Sequence, residues 1–540
     1  MFTRIAEPGG GSAPEFVPVI LGGHVGAYSL ARAFHEGYGV RSLVVTGGDT
    51  WVTDHSTIME KVHCPDLLDE DTLVRTLTGA PFTDITVPML LLATSDTLVE
   101  KVVAVADRVG PGFRVPYVGV EVLERATRKH TFDEVAQKAG VSTPATAIID
   151  LGGDDWHEVQ APGPFPLILK ATAPTAWHGV SFEGQAKVHE VASEAELQEL
   201  VARIHAAGYR DKLVLQDRIP GDDTGMRILT CYCDRDSNVR FASWGQTLIE
   251  EHSPGQLGVP AAILTGVNSE VVAQATRLLA ELRWVGYANF DLKYDPRDGS
   301  VKFFELNPRL GRSNYYVTGT GHNAVSYYVD EYIRDTLGPV GPVLESTAET
   351  IYSVVPVRTI KWALQGHPEL WEKVHEVIQA GGLRNPLHYR AEKDRRTLTA
   401  RMVDAATWMA AQLELDADEL ADAGVDAEAV IRTALLARLA RRSAMPDWPM
   451  LEKWIAALRK KVPAPSDTAV TLPRDLPGEF FQAVESVRQS VVADLPRLLD
   501  PALPIRRLLT QTPAFVGRYF WNEDALADVE HFERQNSAVW

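Results

Sequence analysis

The sequence predicts a multidomain protein that joins an α/β domain to an α+β domain and ends in a helical extension. Three observations carry this expectation. At 540 residues the chain is too long to be organised around one core. From Val17 to Val109 short apolar runs alternate with helical patterns, the rhythm of a parallel sheet with right-handed crossovers. Strand signals then dominate from Lys129, and helical ones beyond Arg401. The expected divisions are 1–16, a flexible leader, then 17–128, 129–400 and 401–540.

Each element has a local reason. Residues up to Phe16 are rich in Gly and Pro and lack the apolar core of a signal peptide. Val17–Leu21 is an apolar run closed by Gly22-Gly23, and Tyr28, Leu30, Ala31 and Phe34 then recur at helical spacing. Ser42–Thr46 and Met89–Ala93 are further runs, the latter leading into a helix from Asp96 to Val109. After Lys129 a helix is expected over Thr131–Ala139, capped by Thr131 and stopped by Gly140. Strands follow at Leu167–Ala171, Leu213–Gln216, Ile228–Cys233, Phe241–Thr247, Asn289–Tyr294 and Lys302–Leu306, with helices at Glu194–Ala207 and Glu270–Leu282. This pattern is mainly antiparallel. Beyond Arg401, Pro463, Pro465, Pro473, Pro477, Pro501 and Pro504 separate helical segments.

Composition narrows the function. A net charge of −19 argues against nucleic-acid partners and anionic membranes, while leaving room for a local phosphate pocket. No apolar run reaches the roughly 20 residues of a membrane span. Cys64, Cys231 and Cys233 cannot form a disulfide framework, and an isolated C-x-C is a poor zinc site, so buried thiols in a reducing, cytoplasmic setting are expected.

The chemistry concentrates in Asn289-Phe-Asp-Leu-Lys293 and Phe303-Phe-Glu-Leu-Asn-Pro-Arg309, two strands around the turn at 295–300. Alternation puts Asp291 and Lys293 on one face, and Glu305 and Asn307 share a face of the second strand. Two carboxylates and an amide oxygen suit Mg²⁺, and Arg309 offers a planar donor fork for phosphate. Lys170 ends the apolar strand Phe165–Ala171, where a phosphate would be its natural partner. Leu213–Thr224 breaks from a strand into Pro-Gly, a hinge whose backbone could read an adenine edge while Asp222 or Asp223 takes a ribose hydroxyl. Lys129 lies near a helix start, where anions are favoured. Each feature alone is also satisfied by a solvated turn or a snorkelling side chain.

In this order the segments resemble the ATP-grasp superfamily, most specifically through FFELNPRLGRS, Phe303–Ser313. The opening PVILGGHVGAYSLARAFHEGYGV and NPLHYRAEKDRR, Asn385–Arg396, resemble D-aspartate ligase and related carboxylate–amine ligases more narrowly. The resemblance covers Val17 to Arg390. It implies an ATP-grasp fold behind an N-terminal parallel-sheet domain, with the all-helical C-terminal extension outside it. It also implies ATP with Mg²⁺ (or Mn²⁺). Lys129 and Lys170 would hold phosphates, Gln216 and the backbone of Asp217 and Ile219 would face adenine, and Asp223 would take ribose. Asp291, Glu305 and Asn307 would hold the metal; Arg309, and less strongly Arg227, would steady the phosphoryl group. The loop Ala171–Gly184 is poorer in glycine than many phosphate covers and carries Trp177 and His178, which suggests substrate contacts there, with His178 a candidate base.

The implied reaction phosphorylates a carboxylate and passes the acyl group to an amine. The narrow resemblance points to aspartate or a similar amino acid and to an amine on a cell-wall precursor, with a homo-oligomer as a further expectation. A dipeptide ligase and a non-catalytic nucleotide-binding protein are the alternatives. Gly22-Gly-His-Val-Gly26 does not spell a dinucleotide-binding turn, because His24 takes the second glycine position.

Overall fold

The computed structural model describes residues 14–392 except 49–51, 54–55, 173–176, 178, 183, 186–187, 252–257 and 356, with backbone only at 129, 130, 358 and 362. The helical extension expected from residue 401 lies outside the described residues. The chain divides into two units. The first comprises Met1–Gly48, Ile58–Glu250 and Ile263–Tyr352, and the second Asp49–Thr57, Glu251–Ala262 and Ser353–Trp540.

In the first unit, β1 (Val17–Leu21), α1 (Val25–Tyr38), β2 (Ser42–Thr46), β3 (Met59–His63), α2 (Glu70–Leu77), β4 (Met89–Ala93), α3 (Asp96–Val105) and β5 (Phe113–Arg114) follow in order. Among the described residues they give a five-stranded sheet, β3-β2-β1-β4-β5, with every neighbouring pair parallel. β1, β2 and β4 are buried along their whole length, as a sheet covered on both faces requires. β3, MEKVH, and the two-residue β5 are strands the apolar pattern did not reveal; in β3 only Met59 is buried, which suits an edge.

Two helices, α4 (Val120–Thr127) and α5 (Lys129–Lys138), come next. α5 starts two residues before the expected Thr131 cap. Thr131 caps nothing, because its hydroxyl donates to the Arg128 carbonyl at 2.9 Å instead of accepting an N–H. β6 (Thr146–Asp150), β7 (Leu167–Ala171), β8 (His189–Val191), α6 (Glu194–Ala206) and β9 (Lys212–Asp217) build an antiparallel sheet ordered β6-β9-β7-β8. Leu167, Leu169, Leu213 and Leu215 form one cluster with Leu197, Leu200, Val201 and Ile204 of α6. Trp177 joins this cluster, edge-on to Phe182 and Tyr209, so it packs as core.

The third sheet contains β10 (Met226–Cys233), β11 (Val239–Glu251), β12 (Val259–Gly266), β13 (Gly286–Tyr294) and β14 (Val301–Asn307), ordered β14-β13-β10-β11-β12. β13 is antiparallel to both β14 and β10. Helix α7 (Ser269–Leu282) covers it: Leu278, Leu279 and Leu282 share a buried cluster with Leu229, Cys231, Cys233, Phe290 and Leu292. The same cluster includes Val19, Leu91 and Phe132, so the core runs unbroken across residue 128. All three cysteines are free and buried. In the second unit α8 (Val357–Ala363) and α9 (Pro368–Gln379) are described, and the Ser56 hydroxyl donates to Glu392 at 2.6 Å. No helix among the described residues is long and apolar enough to cross a membrane.

Candidate active site

The parallel sheet changes direction of winding between β1 and β4, and ligands of such sheets gather beyond the strand C-termini at that point. The two turns there are locked together. Gly22 has φ +113°, and a Cβ on it would lie 2.1 Å from Thr94 Oγ1, so only glycine fits. The Thr94 hydroxyl donates to Leu21 O at 2.9 Å. His24 caps α1: its Nδ1 accepts from the Gly26 N–H at 3.0 Å, and its Nε2 lies 3.0 Å from Thr94 O. These partners select the neutral tautomer with the proton on Nε2. Burial, then the charges of Arg312 and Arg309, push the imidazole down to about 4.

Across from these turns stand β13 and β14. Asp291 faces Glu305 and Asn289 faces Asn307, but Leu292 faces Phe303. Phe304 is therefore a bulge residue, and it reverses the alternation. Phe303 turns into the core beside Phe290, with ring centroids 5.3 Å apart, while Glu305 turns to the face of Asp291. Asp291 and Glu305 hydrogen-bond to each other, and burial and then the Glu305 charge hold the Asp291 carboxyl well above the usual range. Asn307 Nδ2 donates to Asp291 Oδ2 at 3.0 Å and to Asn289 O at 3.2 Å, which leaves its Oδ1 as the outward acceptor. Two adjacent carboxylates, Asp291 half-buried and Glu305 exposed, beside an amide oxygen fit a hard divalent cation, which would supply the positive charge the pair lacks. Among the described residues no group of three His, Cys, Asp or Glu is placed to hold a metal ion.

Arg309 follows through a tight turn, its N–H bonded to Asn307 O at 2.9 Å. Its guanidinium meets Asp96, the first residue of α3: Nη2 to Oδ2 is 3.1 Å and Nε to Oδ1 is 3.0 Å. The Asp96 side chain is 45% exposed while its Oδ1 is buried, and burial raises its pKa. Asn314 Nδ2 donates to Gly26 O (3.1 Å) and Gly311 O (2.9 Å), fastening this loop to the start of α1.

On the small sheet, Lys170 lies opposite Val214 and Ile168 opposite Gln216, so Lys170 and Gln216 share the face away from α6. Gln216 is buried and donates to Thr146 Oγ1 at 3.1 Å. The Asp217 N–H is bonded to Ala145 O at 2.8 Å and its carboxylate pairs with Arg297, while the Ile219 side chain is buried. Asp223 Oδ2 accepts from Glu250 N at 2.8 Å. Lys293, given no role from sequence, donates to Gly221 O at 2.9 Å and ties the hinge to the metal strands.

One expected member, Arg227, is not brought to the group. Arg227 faces Leu292, while its neighbour Ile228 faces Asp291, so Arg227 sits on the opposite side of the sheet. There its guanidinium donates to Thr224 O (2.6 Å) and Met226 O (2.8 Å), and burial lowers it to about 10. Lys129 has its backbone as the first residue of α5, with its side chain outside the described residues, as is all of His178. Sequence reasoning missed His24, Asp96 and Asn314 as site residues. A signal existed for the first two, since each stands just after a strand that the alternation had placed in a parallel sheet.

The chain is 31% identical over 341 residues to D-aspartate ligase of Enterococcus faecium, spanning 62% of this chain and 80% of that protein. Among solved structures, an L-amino acid ligase from Bacillus licheniformis is similar at 15% identity and a TM-score of 0.43, covering 61% of this chain and 76% of that one. N5-carboxyaminoimidazole synthetase from Staphylococcus aureus, complexed with ADP, is similar at 12% identity and a TM-score of 0.45, covering 62% and 81%. The family described as a domain of unknown function, DUF8235, matches residues 387–510.

Proposed function

The chain belongs to the D-aspartate ligase family, ADP-forming carbon–nitrogen ligases of the ATP-grasp kind, and from that membership we propose that it joins the carboxylate of aspartate or a similar small amino acid to an amine through an acyl phosphate. The observation that carries the reading is the Asp291–Glu305 pair with Asn307 in register, and Arg309 just beyond the strand paired with Asp96 of the switch-point turns.

A carboxylate resists an amine because its leaving group would be oxide, and phosphorylation replaces that with phosphate. Such transfer needs positioning and charge neutralisation more than covalent help from the protein. Lys170 offers charge to the phosphates from the small sheet, with Lys129 as its companion, while Gln216, the backbone of Asp217 and Ile219, and Asp223 line the hinge that would take adenosine. Asp291, Glu305 and Asn307 would hold Mg²⁺, or Mn²⁺, which when bound neutralises phosphate charge. Arg309 steadies the moving phosphoryl group and the acyl phosphate it leaves. The amine must arrive unprotonated, and its source on this reading is a peptidoglycan precursor. Arg227 has no part, because it lies across the sheet from Asp291.

The test is phosphate release from ATP and Mg²⁺ across D- and L-amino acids, with and without amine acceptors. One amino acid should stimulate release, and Glu305→Gln should lower that rate by about 10³-fold or more. Undiminished turnover by Glu305→Gln would remove the metal assignment.

A further inference from the structure

Six residues form the two switch-point turns: Gly22, Gly23 and His24 after β1, and Thr94, Ser95 and Asp96 after β4. Gly22 and Thr94 are spent on each other, both His24 nitrogens are hydrogen-bonded, and the Ser95 hydroxyl accepts from Leu98 N at 3.3 Å. Asp96 alone among the six carries charge, and it meets Arg309 through two contacts of 3.0 and 3.1 Å.

The two partners are held differently. Arg309 is walled in, with its side chain 14% exposed and its backbone fixed by the turn to Asn307, whereas the Asp96 side chain is 45% exposed. The contacting atoms, Arg309 Nε and Asp96 Oδ1, are themselves buried, so the pair is given up only to a ligand that replaces both charges. An amino acid brings one anion and one cation on a small skeleton, the charges needed to replace each half of this pair. We propose that Asp96 selects amino acids at this site by taking the substrate ammonium while Arg309 takes the carboxylate, the Asp96–Arg309 pair being the internal stand-in for a zwitterion. The exchange forms two ion pairs for one broken and leaves neither Asp96 nor Arg309 unpaired. This rests on the ligase reading above and adds to it the residue that distinguishes an amino acid from a plain carboxylic acid.

The experiment compares the amino acid that drives phosphate release with its analogue lacking the amino group, succinate if that acid is aspartate. It uses the full-length wild type and Asp96→Asn, with calorimetric binding of both ligands alongside turnover. The variant should lose roughly 10- to 100-fold of the preference for the amino acid. The loss should appear in KM and Kd for the amino acid, whereas the analogue, freed from competing with Asp96 for Arg309, should bind no more weakly than before. Asp96→Glu, which keeps the charge but displaces it, should recover part of the preference and guards against a folding defect in the first variant. A preference unchanged in an active Asp96→Asn enzyme, or an equal fall for both ligands, overturns the zwitterion site and leaves the ligase reading standing. A wild type that releases no phosphate with any amino acid overturns both.

Discussion

The two ends of the first unit, β13 and β14 with the switch-point turns and the small antiparallel sheet, are built on different principles. β13 and β10 lie over a core that includes α7 and the parallel sheet, and the polar groups on their site face are bonded to one another: Asn307 to Asp291, Thr230 to Asn289 at 2.8 Å, and Tyr316 to Thr230 at 2.8 Å. The small sheet packs α6 on one face, and Ile148 on the other is 37% exposed. A polar network sealed in a core is costly to disturb, whereas a one-sided sheet can carry charge near water at small cost. The first end is suited to fixing the reacting atoms and the second to receiving and releasing a nucleotide.

Gly22→Ala is the hardest blow to this contrast. A methyl 2.1 Å from Thr94 Oγ1 at φ +113° combines a clash with a conformation that L-residues avoid. The expected loss is about 3–4 kcal/mol by denaturant unfolding. A loss under about 1 kcal/mol would mean that the turns are not locked and that the rigid end yields as easily as the small sheet.

Lys170→Met probes the other end. It removes a charge from a half-buried strand residue and preserves most of its packing. The KM for ATP should rise roughly 10- to 100-fold with the melting temperature nearly unchanged. A large fall in melting temperature would show that the lysine is structural.

How much of this could be read beforehand differs between the ends in the same way. Asp291, Glu305, Asn307 and Arg309 were legible because alternation and short offsets are local properties, although the bulge at Phe304 that gives Glu305 its face was not. Arg227 was misjudged because its side of the sheet depends on the register of Ile228 against Asp291, a pairing across more than sixty residues that no local pattern encodes. Asp96 and His24 looked like an ordinary helix start and a failed glycine. Their importance comes from β1 and β4 being neighbours, a fact of topology. Thr131 was read as a cap from residue type alone, and the hydroxyl took the other hydrogen-bonding role open to it.

The smallest expected effect is also the most diagnostic of how the turns are held. His24 is neutral because burial and the nearby Arg312 and Arg309 oppose a proton, bringing its pKa to about 4 from an ordinary value near 6.5. The unfolded chain therefore binds a proton that the folded chain refuses between about pH 6.5 and pH 4. The stability contributed by this residue is fully present above about pH 6.5 and is lost as pH falls through that window. His24→Asn keeps a side-chain acceptor for the Gly26 N–H but has no imidazole to protonate, so its helix cap survives. At neutral pH it should be about 1 kcal/mol less stable than wild type, through loss of the contact to Thr94 O. Because only the wild type loses stability through protonation of the imidazole, about 3 kcal/mol by pH 4, the two unfolding free energies should converge and then cross as the buffer is taken from pH 7 to pH 4, leaving the variant the more stable at the acid end. Curves that stay parallel would mean that the folded protein accommodates the charged imidazole, and that the joint between β1 and β4 has more freedom than its hydrogen bonds imply.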